Sequence, residues 1–99
     1  MRVCYSQSGG FTGALQSCEV NTADLPKPEA EHLKQLVRDS GFNQSTSSVS
    51  EQARDLRQFE ITIDDDSNAI CIIFDDKNVP DQGRQLLDYL RKRAKPGSL

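Results

Sequence analysis

The side chains that could do chemistry in this sequence are one histidine, three cysteines and two clusters of aspartates. His32 lies between charged neighbours, and a single histidine without companions at ligand spacing favours a surface position over a metal site. No Cys, Ser or Lys nucleophile can be placed beside an orienting base, which argues against an enzyme. The aspartates at 64–66 lack the ligand spacing, central Gly and terminal Glu of a calcium loop. They indicate a solvated turn, and the aspartates at 75–76 indicate a strand end.

The cysteines are odd in number and contain no CxxC pair, so they do not form a disulfide framework. Cys4 and Cys18 fall in two consecutive predicted strands. If that hairpin is centred on Phe11, the two cysteines face each other across the ladder, where a disulfide is geometrically conceivable. A reducing compartment favours the alternative of two reduced thiols on one face of the sheet.

Small residues surround one large aromatic in the loop after the first predicted strand, loop 8–13, which consists of Ser8, Gly9, Gly10, Phe11, Thr12 and Gly13. Its glycines can adopt positive φ and let another molecule approach the backbone closely. In one interpretation Phe11 folds back to cover a core edge, as aromatics near turns commonly do. In the other, rigid strands present Phe11 to the pocket of a partner.

Residues 2–7 and 14–20 flank this loop and predict an antiparallel hairpin. A helix is predicted over 28–40, because apolar residues recur at helical spacing, Pro28 suits its first position and Gly41 its end. The serine-rich residues 43–50 predict a loop rather than an element, and 51–55 predict a short helical turn.

Residues 57–64 alternate in hydrophobicity and predict a half-buried strand. Residues 68–75 are apolar at nearly every position, which is typical of a strand covered on both faces or lying at an oligomer contact. A tight turn at 66–67 brings three apolar couples onto one face: Ile63 with Ile70, Ile61 with Ile72 and Phe59 with Phe74. A last amphipathic helix is predicted over 81–95, with cations at its end that complement the helix dipole.

The predicted order is ββαββα, which indicates a two-layer α+β fold in which two helices cover a mostly antiparallel four-stranded sheet. Ninety-nine residues make a single domain, 1–99. The consistent apolar faces predict a core of Leu33, Leu36, Val37, Phe59, Ile61, Ile63, Ile70, Ile72, Phe74, Leu86, Leu87 and Leu90.

A net charge of -3 gives no electrostatic case for a nucleic-acid partner. The sequence has no apolar run of the kind that a signal peptide or a membrane span needs, so we expect a cytoplasmic protein without a membrane partner.

The chain resembles the emfourin family, small proteins that inhibit thermolysin-like zinc metalloproteases such as protealysin. The resemblance covers nearly the full length and rests on Ser8-Gly9-Gly10-Phe11 with Gly13, the helix start Pro28-Glu29-Ala30, the strand pair 59–66 and 70–76, and Pro80 before the last helix. It implies a non-enzymatic inhibitor without a cofactor, whose partner is a thermolysin-like metalloprotease.

The composition of loop 8–13, together with this resemblance, favours that loop as the partner-binding surface, with Phe11 as its anchor. Thermolysin-like enzymes favour a large apolar residue just after the scissile bond, and Phe11 is such a residue. An inhibitor of this kind is expected to be a monomer when free. The alternative is a homodimeric interaction or regulatory module that uses the apolar residues 68–74 as its contact.

Overall fold

Two helices pack on one face of a six-stranded sheet in the structure, a computed structural model that describes residues 1–9, 15–49, 56–65 and 68–96. The strands are β1 (Arg2–Gly9), β2 (Gln16–Asn21), β3 (Thr46–Ser48), β4 (Arg57–Asp65), β5 (Asn68–Asp75) and β6 (Lys95–Pro96). The helices are α1 (Lys27–Ser40) and α2 (Arg84–Arg93), with single 3-10 turns at Thr22–Asp24 and Asp81–Gly83. The strand order is β3-β5-β4-β1-β2-β6, and only the β3–β5 pair is parallel.

The α+β class is confirmed, and so is the predicted register of β4 against β5. The three apolar couples lie directly opposite each other: Ile63 with Ile70, Ile61 with Ile72 and Phe59 with Phe74. Because side chains alternate between the faces of a strand, this register sends all of these side chains to the face that the helices cover.

Both helices bury an apolar stripe against this face of the sheet. Pro28 lies in the first turn of α1, where its missing N–H has no intrahelical partner to lose. Gly41 ends α1 with a φ of 73°, and Phe42 then folds back onto Phe74, with ring centroids 6.5 Å apart.

The predicted core residues are all buried except Ile70, which is half-buried near the start of β5. Among the described residues, four further apolar residues that the core prediction left out are buried: Val3, Tyr5, Val20 and Ala30. Three of them come from the first hairpin, whose imperfect alternation hides its buried face in the sequence.

The prediction of four strands is wrong, because β3 forms where a loop was expected. Thr46 of β3 lies opposite Ile72 of β5, and Ser45 Oγ accepts a hydrogen bond from the Cys71 N–H at 3.0 Å. All three residues of β3 are exposed, so the strand contributes backbone pairing and no apolar pattern. It covers what would otherwise be an open edge of β5.

The predicted last helix, 81–95, is also too long. It divides into a 3-10 turn and α2, and Ala94 turns extended with ψ 142°. Pro96 disfavours the helical conformation in the residue before it. Lys95 and Pro96 instead form β6 on the edge of β2, a position where proline is tolerated in a sheet.

The register of the β1–β2 hairpin differs by one residue from the prediction. Cys4 lies opposite Glu19, and Cys18 lies opposite Tyr5, so the two cysteines occupy opposite faces of the sheet. This register places Val3 opposite Val20 on the helix-covered face, where both are buried. All three cysteines are free, and a bridge between Cys4 and Cys18 would require the backbone to move.

The second face of β5 is not covered by any element in the described ranges. Ala69 is exposed, and Cys71 and Ile73 are half-buried, so the expectation of a strand covered on both faces is wrong for this part of the chain. The helical turn predicted at 51–55 and the tight turn predicted at 66–67 lie outside the described residues.

Candidate functional site

The end of β1 is held by neighbouring strands on both sides. β1 pairs with β2 as far as Gln7 opposite Gln16, and with β4 as far as Gly9 opposite Arg57. The strand therefore runs two residues beyond its predicted end. Loop 8–13 leaves the sheet from one of its two central strands rather than from an edge.

Gly9 needs to be glycine for two independent reasons. Its φ is +86°, a left-handed conformation that side chains with a Cβ rarely adopt. A Cβ at this position would also lie 2.9 Å from the Leu56 carbonyl oxygen, which is backbone and cannot swing aside. The path of the chain into loop 8–13 is therefore fixed by close backbone contact.

Of the predicted site residues, Ser8 and Gly9 lie at the exposed end of β1. The others, Gly10, Phe11, Thr12 and Gly13, lie outside the described residues. On the return side the chain is described again from Leu15, which is half-buried just before β2.

Arg57 and Asp76 form an ion pair beside Gly9. The Arg57 N–H donates to Asp76 Oδ2 at 2.7 Å, and its Nη2 donates to Oδ1 at 2.9 Å. The Asp76 N–H in turn donates to the Arg57 carbonyl oxygen at 3.2 Å. Burial acts to raise the pKa of Asp76, but these hydrogen bonds and the guanidinium charge outweigh it and hold the pKa below its usual value.

Aromatic side chains support the sheet just below this end. Tyr5 stacks on Phe59 with ring centroids 6.5 Å apart, and Phe59 packs on Phe74 at 5.6 Å. The Tyr5 hydroxyl donates to Gln7 Oε1 at 2.9 Å. Burial raises the pKa of Tyr5 to about 12, so its ring is neutral under physiological conditions.

A shallow groove of about 350 Å³ lies on the helix side of the hairpin, lined by Gln16, Asp88, Arg91 and Lys92. Arg91 and Lys92 are exposed on the last turn of α2. Together with the partly exposed Arg57, they place cations around the end of the hairpin. The described surface beside Gln16 can therefore make polar contacts with an approaching molecule.

The described ranges hold no group of three or more His, Cys, Asp or Glu side chains that could bind a metal ion. His32 is exposed on α1, with its ring against the edge of Tyr89 at 5.9 Å. Burial raises the pKa of all three cysteine thiols, which makes them poor nucleophiles.

The Arg57–Asp76 pair is not among the sequence predictions, which assign the aspartates at 75–76 only to a strand end. A signal was present in the sequence. The predicted register already placed Phe59 opposite Phe74, and extending it by two residues places Arg57 opposite Asp76.

No helix in the described part of the chain is long and apolar enough to cross a bilayer. The search of curated proteins found no match, and neither did the search of solved structures. A family model, Emfourin, matches residues 5–91, a range that includes all of loop 8–13 and most of the chain. The protein therefore belongs to the emfourin family, in agreement with the resemblance seen in its sequence.

Proposed function

We propose that this protein inhibits a thermolysin-like zinc metalloprotease of the protealysin type by inserting loop 8–13 into the active-site cleft. Membership in the emfourin family implies a role in metalloprotease inhibition in general. That loop 8–13 binds the protease, and that the protease is thermolysin-like, are our additions to this general role. Phe11 is its anchor, occupying the pocket that receives the residue just after the scissile bond.

The observation that carries the choice of loop is the way β1 ends. Strands pair with β1 on both sides almost to Gly9, and Gly9 lies against the Leu56 carbonyl in a conformation that favours glycine. A loop whose bases are fixed loses less conformational entropy on binding, so more of its contact energy appears as affinity.

The same rigidity offers a reason why the loop resists cleavage. If the paired strands hold the scissile peptide in a pose that the attacking water cannot reach, hydrolysis is slow. If the bond is cut, β1 and β2 keep the new ends close together because each remains paired in the sheet. Resynthesis of the cut peptide bond then competes with release of the cleaved loop from the protease.

The experiment is a titration of a thermolysin-like enzyme with this protein, followed by residual activity on a peptide substrate. Wild type should inhibit in a dose-dependent manner. Phe11→Ala should raise the inhibition constant at least about thirtyfold, since loss of a buried aromatic anchor typically costs about 2 kcal/mol or more of binding. Its melting temperature should stay at the wild-type value.

Val49→Ala is the matched control, because Val49 is an exposed apolar residue, 42% accessible, beyond β3 at the far edge of the sheet. It should leave both the inhibition constant and the melting temperature unchanged. If Phe11→Ala unfolds the protein while its folded fraction still inhibits, Phe11 belongs to the core and the binding surface lies elsewhere.

A homodimeric module is the competing proposal, and the half-buried Cys71 and Ile73 on the second face of β5 are what favours it. The edge of β5 itself is already paired with β3. We expect a monomer when free, acting in the cytoplasm. A light-scattering mass in dilute solution tests this, and a stable dimer without protease inhibition would support the competing proposal.

A further inference from the structure

We propose that Asp76 is a positioning residue of the inhibitor, which acts through Arg57 to hold the end of β1 from which loop 8–13 leaves. This inference rests on the proposed function and adds to it a residue outside the loop. Asp76 follows β5 directly, two strands away from β1.

The geometry connects Asp76 to Gly9 in two steps. Asp76 binds both backbone groups of Arg57, accepting from its N–H at 2.7 Å and donating to its carbonyl at 3.2 Å. Arg57 is the first residue of β4, and its partner in β1 is Gly9, the last residue of that strand. A shift of Arg57 and the adjacent Leu56 carbonyl would therefore move the surface against which Gly9 lies.

The side chains strengthen the same connection. Arg57 Nη2 donates to Asp76 Oδ1 at 2.9 Å and Nε donates to Oδ2 at 3.3 Å, so the carboxylate binds the guanidinium with both oxygens. The guanidinium also lies 5.5 Å from the centre of the Phe59 ring. The Asp76 carboxylate and the Phe59 ring therefore both constrain the orientation of the guanidinium.

Asp76 is itself held in place by the turn that contains it. The Asn78 N–H donates to the Asp75 carbonyl oxygen at 3.0 Å, and Asp75 Oδ1 accepts from the Lys77 N–H at 3.0 Å. Asp75 is 1% exposed, so this turn is anchored in the protein interior. Asp76 can therefore fix Arg57 rather than follow it.

Removing Asp76 should lower the fraction of molecules in which the end of β1 is ready to bind. The observed affinity falls in proportion to that fraction, and the association rate falls with it. Once the loop is in the cleft, the protease itself holds it, so the dissociation rate should change little.

The test compares Asp76→Ala with wild type in progress curves of a thermolysin-like peptidase, which give association and dissociation rate constants separately. We expect association to slow at least about tenfold and dissociation to stay within about twofold of wild type. In the free protein, hydrogen exchange in peptides covering 6–9 and 56–58 should accelerate.

Glu19→Ala is the matched control, because Glu19 forms an ion pair with Arg2 at 3.4 Å at the opposite end of the same hairpin. It should alter neither rate constant, nor exchange at 6–9. Asp76→Asn, which keeps an oxygen acceptor for the Arg57 N–H, should recover part of the lost association rate.

Unchanged association for Asp76→Ala, with or without a lower melting temperature, would overturn the inference. Faster dissociation with unchanged association would also overturn it, because Asp76 would then contact the protease directly. If wild type inhibits no thermolysin-like enzyme, the proposed function is wrong, and Asp76 has no role in inhibition. The exchange measurement then shows separately whether Asp76 orders the end of β1.

Discussion

Gly9 combines a left-handed backbone with a close backbone neighbour, and Gly41 has the first property without the second. Gly41 has a φ of 73°, but a Cβ there would meet, within the described part of the chain, only the flexible end of the Gln82 side chain, at 3.0 Å. The two glycines therefore separate the cost of a strained φ from the cost of a steric clash.

We predict that Gly9→Ala lowers the free energy of unfolding more than Gly41→Ala does. A left-handed conformation costs a residue with a Cβ roughly 1–2 kcal/mol, and Gly9→Ala adds the contact with the Leu56 carbonyl. Urea denaturation of both variants measures the difference. Equal losses would mean that the β1 end relaxes without resistance, contrary to the fixed path described for it.

In the strand β5, two adjacent isoleucines lie on opposite faces of the sheet, one buried and one partly open. Ile72 is 2% exposed on the helix-covered face, and Ile73 is half-buried on the other. We predict that Ile72→Ala lowers the free energy of unfolding by about 2–5 kcal/mol, because it leaves a cavity in the core. Ile73→Ala should cost much less.

Thermal and urea unfolding of the two isoleucine variants check this prediction. Both substitutions remove the same atoms from neighbouring positions, so the comparison isolates burial from β-propensity. Similar losses for both would indicate that the second face of β5 is covered in solution, as the dimer alternative requires.

Elements with apolar patterns could be predicted from the sequence, and those held by backbone pairing alone could not. The β4–β5 register followed from three apolar couples, since a slip by one residue would have exposed all of them. β3 has only exposed Thr and Ser side chains, and β6 has two residues. Nothing in such segments distinguishes a strand from a loop until a neighbouring edge is known.

The candidate site shows the same division. Its glycines were apparent from composition, but the reason for Gly9 is the Leu56 carbonyl, which is distant in sequence. The error of one residue in the hairpin register arose because β1 and β2 offer few apolar couples to fix it. The Arg57–Asp76 pair, in contrast, follows from a register that the sequence did specify.

For the molecule as a whole, the buried phenol of Tyr5 predicts a loss of stability in alkaline solution. Its pKa is raised to about 12 by burial, from about 10 in the unfolded chain. The neutral form is favoured by folding, so this contribution is fully present below pH 10 and is lost as the pH rises through about 12.

Urea denaturation at a series of pH values between neutral and alkaline measures this effect. Tyr5→Phe is the control, because it removes the ionisable hydroxyl and keeps the ring that stacks on Phe59. The variant should lose less stability than wild type over the same alkaline range. Parallel curves would show that Tyr5 ionises without disturbing the fold.

The central position of β1 also determines when the molecule can become active during folding. β1 pairs with β4, whose paired residues lie 48 to 62 positions later in the chain, so these contacts have high contact order. An isolated two-stranded hairpin is marginally stable at best in water. On a ribosome, the β1–β2 hairpin would therefore emerge early and acquire its second neighbour only after β4 is synthesised. We expect nascent or truncated chains ending before β4 to leave the protease uninhibited.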